Sequence, residues 1–201
     1  KGFAQSELIR NKTDHADAAL LARFCAALQP SLWTPPSAQW RELRAKVERL
    51  QVLKEMHQQE SNRLEAHQAS SEALLAHSVL EHLAWLSEKI KALESDIDDH
   101  IDRYPELKHD AELIESIPGI GKTTVAKVLA YLGDVRRFHS KKALVAFAGI
   151  DAPPYQSGQI DVRSRSISKR GSASLRRTLF LVMSVILQCA PIDEPVYQFM
   201  D

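Results

Sequence analysis

"VLEHLAWLSEKIKALESDI", residues 79–97, decides the fold. Its apolar residues Val79, Leu83, Leu86, Ile90, Leu93 and Ile97 recur at steps of four, three, four, three and four. That spacing is the seam of an α-helix that needs another helix to cover it. Upstream, Trp40, Leu43, Val47 and Leu50 repeat steps of three, four and three. Between them "EAHQASSEA" loses the seam and is rich in Ser, so the pattern predicts a helical hairpin with its tip near residues 66–73. A hairpin closing on itself and a coiled coil between two chains both satisfy such a seam.

On either side the pattern changes. Near the start, "NKTDHADAALLARFCAALQP" places Ala18, Leu21, Ala22, Cys25 and Leu28 on one stripe at helical spacing, ending before Pro30. "SLWTPPSA" then interrupts it with two prolines. Beyond residue 108 come short helical stretches: "AELIES", "KTTVAKVLAYLG", "SKKALVAFAG" and, after a polar loop, the strongly apolar "SLRRTLFLVMSVILQCA". The last predicts a buried central helix, ended by Pro191 and Pro195. The reading is a mainly α chain in three zones: residues 1–34, a coiled-coil helical hairpin over 35–108, and a helical domain over 109–201.

Charge is laid out unevenly. The 201 residues carry 26 basic and 26 acidic side chains, yet residues 40–118 hold ten Lys/Arg against seventeen Asp/Glu. Residues 119–177 hold twelve against three. A basic segment among glycines and small apolar residues points to a polyanion surface, most simply nucleic acid. Cys25 and Cys189 stand alone, without CxxC or His at ligand spacing, which argues against zinc and a disulfide framework and fits a reducing compartment. No secretory signal and no run of about 18 apolar residues occurs, which argues against membrane insertion.

"ESIPGIGKTTVAKVL", residues 115–129, ends its turn like a nucleotide-binding P-loop. The resemblance fails in spacing, because Ser116 stands where the first glycine is needed and Pro118 removes a backbone N–H. The stretch fits a helix-hairpin-helix instead. Gly119 and Gly121 allow a tight hairpin and a close approach of backbone to phosphate, and Lys122 and Thr123 open the next helix. Such a contact reads the nucleic-acid backbone and not its sequence.

Two further patterns bear on chemistry. Ser157 precedes Gly158 in a polar loop and is followed by Arg163, Arg165, Lys169, Arg170, Arg176 and Arg177. A serine attacking a phosphodiester needs exposure, a base and cations around the developing charge; serine and cations are present, and Asp161 is the one nearby carboxylate. A serine in a DNA-contacting loop is the simpler reading of the same residues. Asp14 and Asp17, three apart, lie on one helical face, a geometry by which two carboxylates share a divalent cation or simply favour a helix N-terminus.

Taken together, "KTDHADAALLARF", "IPGIGKTTVAKVLAYLGDVRRFHSKKALVAFAGI" and "PPYQSGQI...ISKRGSASLRRTLF" resemble the insertion sequence one-ten family of transposases, relatives of Piv-like pilin-gene invertases and described as bridge-RNA-guided serine recombinases. The resemblance implies that residues 1–34 are the C-terminal remnant of a RuvC-like domain of RNase H fold. It implies that 109–201 form a transposase domain. Asp14 and Asp17 then match the last two of four metal-binding acids (DEDD), which help hold Mg2+, and Ser157 matches the nucleophile joined covalently to DNA. The family pairs the serine of one protomer with the acids of another, which implies a homodimer or tetramer through the coiled coil. DNA and a guide (bridge) RNA are the implied partners, in a bacterial, nucleoid-associated cytoplasmic setting. The first two acids have no counterpart between Lys1 and Asp14, so the stretch reads as an N-terminally truncated fragment, inactive alone. A non-catalytic nucleic-acid-binding and scaffolding role is the alternative.

Overall fold

The computed structural model describes residues 13–30, 32–69, 73–152 and 166–189, together with positions 3, 6, 7, 156, 157, 160 and 161. Arg163, Arg165 and Gly158 lie outside the described residues. The chain divides into two compact units, Lys1–Pro35 and Pro36–Asp201.

The first unit is built around α1 (Asp14–Leu28). Thr13 caps it, its hydroxyl accepting from the Ala16 N–H, and Asp14 and Asp17 favour the positive end of the helix dipole. Gln29 closes it in the left-handed region (φ 40°). Phe24 meets Phe3 edge-on, with ring centroids 5.4 Å apart, and Arg23 pairs with Glu7 at 3.3 Å. No residue of α1 is fully buried, and Leu21 and Leu28 of its apolar stripe are exposed.

The second unit is mainly α, as the spacing predicts. Helix α2 (Ala38–Ala69) and helix α3 (Ala73–Arg103) form the long hairpin, turning where the seam breaks. Cross-helix pairs run in opposite order along the two helices and fix them as antiparallel: Lys46 with Asp96 at 3.0 Å, Lys54 with Glu94 at 2.7 Å, and His57 with Ser87 at 3.1 Å. The hairpin closes its seam on itself, with Trp40, Leu43, Val47, Leu50, Leu86 and Ile97 buried. At its open end the fully buried His100 donates from Nε2 to the Gln39 carbonyl, and its Nδ1 stands 3.6 Å from the Glu42 carboxylate.

Pro105, at a first-turn position where no N–H is needed, starts α4 (Pro105–Glu115), and the chain then makes a hairpin into α5 (Lys122–Leu132). A 3₁₀ turn (Val135–Arg137) leads to α6 (Lys141–Ala148), capped by the Ser140 hydroxyl on the Ala143 N–H. A short antiparallel pair follows, β1 (Gln156–Ser157) with β2 (Ile160–Asp161), and then α7 (Ala173–Cys189). Leu107, Ala111, Ile120, Val125, Leu129, Ala148 and Leu175 join the hairpin's open end in one continuous core. Burying a leucine in it contributes about 2 kcal/mol.

Helix α7 departs from the buried central helix its composition predicts. Leu175 and Thr178 are buried, but Phe180 is 74% exposed and Leu181 and Met183 are also exposed. The helix packs on α5 and α6 along one stripe, and hydrophobic content alone does not say how many neighbours a helix will have.

Candidate nucleic-acid interface and serine hairpin

The turn between α4 and α5 is built as its glycines require. Gly119 takes φ 86°, a conformation that a side chain opposes. Gly121 is the N-cap of α5, and a methyl group added there would meet nothing within 4 Å. The Gly121 carbonyl accepts from Thr124 and Val125, which starts the helix. The N–H groups of Lys122 and Thr123 have no acceptor among the described residues. They leave the positive end of the helix dipole open.

The surroundings of that end are acidic. Lys122 Nζ stands 3.8 Å from Asp98, and the hollow beside it is lined by Asp98, Asp102, Glu112 and Glu115. A second hollow at the same turn carries Glu94 and Asp98. The acidic hairpin, separate in sequence from the basic segment, folds against it here, so the charge of Lys122 is partly shared.

Other basic residues are engaged inside the fold. Arg136 grips the buried Asp110 with both ends of its guanidinium, at 3.1 and 3.0 Å, and reaches Asp134 at 3.2 Å. Hydrogen bonds to Asp110 and then Asp134 raise its pKa above the ordinary arginine value. Arg137 lies over the rings of Phe138 and Phe147, 4.6 and 4.5 Å from their centroids, and donates to the Leu132 carbonyl. Arg176 donates to the Ala148 carbonyl at the end of α6, a favourable place for a cation. Lys169 and Arg170 are exposed and have no ion pair among the described residues.

Ser157 is the last residue of β1, opposite Ile160, with two residues connecting the strands. The neck of its loop is tightly tied. The Ser168 hydroxyl donates to the Asp151 carboxylate, and the Ser168 N–H donates to the Asp151 carbonyl at 2.7 Å. Lys169 N–H donates to the Gly149 carbonyl at 3.0 Å, with Lys169 itself left-handed at φ 54°. Gly149 and Gly171 touch so closely that a Cβ on Gly171 would stand 1.8 Å from the Phe147 carbonyl oxygen. Residues 147–151 and 168–172 thus form a clasp that fixes where the serine loop leaves and re-enters the fold. Sequence reading passed over Asp151 and Ser168, because their meeting depends on a contact seventeen residues apart.

Asp14 and Asp17 occupy the exposed first turn of α1, where they offer two carboxylates of the kind magnesium takes. No group of three or more His, Cys, Asp or Glu side chains suited to a metal gathers among the described residues. The pair fits one side of a magnesium site and does not complete it. Helix α1 and the serine hairpin belong to different units. No helix among the described residues is long and apolar enough to cross a membrane.

Residues 111–198, which contain the α4–α5 turn, the clasp, Ser157 and α7, match the profile of the family described as "Transposase IS116/IS110/IS902 family". The chain as a whole is similar to the pilin gene-inverting proteins of Moraxella bovis and Moraxella lacunata, at 33% identity over 184 residues in each case. It is also similar to the transposase for insertion sequence element IS1111A of Coxiella burnetii, at 34% over 84 residues, which are 42% of this chain and 23% of that protein. The match to the pilin gene-inverting proteins takes in 92% of this chain and 56% of theirs, so the chain spans just over half their length.

Proposed function

We propose that the whole protein is a DNA transposase or site-specific recombinase that cuts and rejoins strands through Ser157. The observation that carries this reading is the serine on β1 of a short hairpin whose neck is hydrogen-bonded into a clasp, within the segment that matches a transposase profile. Ser157 Oγ attacks phosphorus as its proton passes to a base. The bond from phosphorus to one strand's oxygen breaks, and that oxygen takes up a proton and leaves as a hydroxyl. The phosphate, held as a diester on Ser157, keeps the bond energy for rejoining when another hydroxyl attacks in reverse. Arg163, Arg165, Lys169 and Arg170 supply positive charge to the phosphate, and the α4–α5 turn grips the backbone through the Lys122 and Thr123 N–H groups. Arg176 supports the clasp from the end of α6.

Asp14 and Asp17 would hold Mg2+ together with acids outside this stretch. When bound, the ion supplies positive charge to the phosphate oxygens. In this reading a guide RNA selects the DNA, and two or four copies assemble so that the serine of one works with the acids of another. Changing Ser157 to Ala in the full-length protein should abolish the covalent protein–DNA species trapped by a suicide substrate while sparing DNA binding. A trapped species that survives the change removes Ser157 from the role.

The alternative, a non-catalytic nucleic-acid-binding and scaffolding module, is favoured for this stretch alone by the lack of a third metal-binding side chain beside Asp14 and Asp17 among the described residues. It predicts binding without any covalent species.

A further inference from the structure

Helix α5 carries a second lysine, Lys127, on the side facing α2 and α7. It lines a cleft of about 210 Å³ together with Arg177 and Tyr131. Lys127 is half-buried, and neither it nor Arg177 has an ion pair among the described residues. Tyr131 is only 9% exposed, and its hydroxyl has no hydrogen-bond partner among the described residues. Ser174 and Gln51 add polar groups to the same walls. The one carboxylate of the lining, Glu55, accepts from the Gln51 amide at 2.8 Å, and the neighbouring Lys54 is held by Glu94. Burial, followed by the like charges of Lys54 and Arg177, lowers the pKa of Lys127 from its ordinary value. Two cations and one carboxylate, whose hydrogen-bond partner is a neutral amide, line the cleft and leave it with an excess of positive charge. A bound anion offsets that excess.

We propose that the cleft between α2, α5 and α7 is a phosphate-binding site in which Lys127 and Arg177 hold one phosphodiester of a nucleic-acid backbone, with the Tyr131 hydroxyl donating to the same group. The inference rests on the nucleic-acid reading above and adds to it a contact on a face that the turn motif does not reach. A side chain on an apolar helical stripe becomes a backbone contact because Arg177, fifty residues later, arrives beside it.

The test is the salt dependence of binding of the protein to a short DNA duplex and to an RNA duplex of the same length. Lys127→Gln and Arg177→Gln should each weaken the duplex that the wild type binds more tightly by about tenfold. Each should also flatten the slope of log affinity against log salt by about one. Lys108→Gln, which removes an exposed lysine paired with Asp102, should leave both unchanged. Neither cleft variant should lower the melting temperature, since neither side chain is held by an ion pair among the described residues; Arg177 is exposed and carries the test if the half-buried position disturbs folding. A wild type that binds with normal salt dependence, matched by both variants, overturns this site and leaves the nucleic-acid reading standing. A wild type that binds neither duplex overturns that reading and this site with it.

Discussion

Lys122 and Lys127 stand five residues apart on the same helix and meet opposite surroundings. Lys122 belongs to the recognisable turn, is exposed, and shares its charge with Asp98 and a ring of carboxylates from α3 and α4. Lys127 belongs to no motif, is half-buried, and faces other cations. A motif locates a backbone geometry, whereas the charge available to a ligand depends on what the rest of the chain folds against it. The basic segment therefore divides into residues engaged in the fold, such as Arg136 and Arg137, and residues left open, such as Lys127, Lys169, Arg170 and Arg177.

The division can be broken most forcefully at Arg136. Changing it to Ala strands the Asp110 carboxylate, 8% exposed, without its partner, and should lower the urea unfolding midpoint substantially. Asp110→Ala should cost less, because the half-exposed guanidinium returns to water. If Arg136→Ala keeps full stability and instead flattens the salt slope, the assignment of Arg136 to the fold is wrong.

Next in size is the clasp. Gly171→Ala forces a methyl group onto the Phe147 carbonyl and should destabilise by about 2 kcal/mol, with the loss confined to the second unit in hydrogen exchange. Unchanged protection around residues 147–151 would show that the neck is looser than drawn.

On binding, Lys122→Gln should change the salt slope by less than half as much as Lys127→Gln, since Asp98 already screens Lys122. Equal effects would erase the contrast between the two lysines.

The smallest effect is on alkaline stability. With the folded pKa of Lys127 below its unfolded value, the unfolded chain binds more protons between the two values, so stability rises with pH across that window, just below the ordinary lysine pKa of 10.5. Lys127→Gln should remove this part of the rise in melting temperature and leave the rest. An identical profile in both proteins would mean that Lys127 is not desolvated.

Much of the fold was legible because it is local. Steps of three and four from Trp40 to Leu50 and from Val79 to Ile97 gave both long helices, and the break at "EAHQASSEA" lies where one ends and the next begins, although the first runs helical through Ala69, inside the predicted tip. Glycine chemistry placed the α4–α5 turn, and the structure adds that Gly119 is the residue with positive φ. The features that escaped depend on residues distant in the chain: Asp98 beside Lys122, Arg177 beside Lys127, and Ser168 on Asp151. The exposure of Phe180 escaped for the same reason, since an apolar helix does not state which of its sides will be covered. Ser157 stood out as serine, glycine and following cations, while the clasp that roots its loop is visible only in three dimensions.

The most direct measurement is to trap the full-length protein on a suicide DNA substrate, digest the complex and locate the DNA-linked residue by mass spectrometry. The account predicts a phosphodiester on Ser157, absent from Ser157→Ala although that variant still binds the DNA. A link mapped to any other residue, or one that persists in Ser157→Ala, would contradict it.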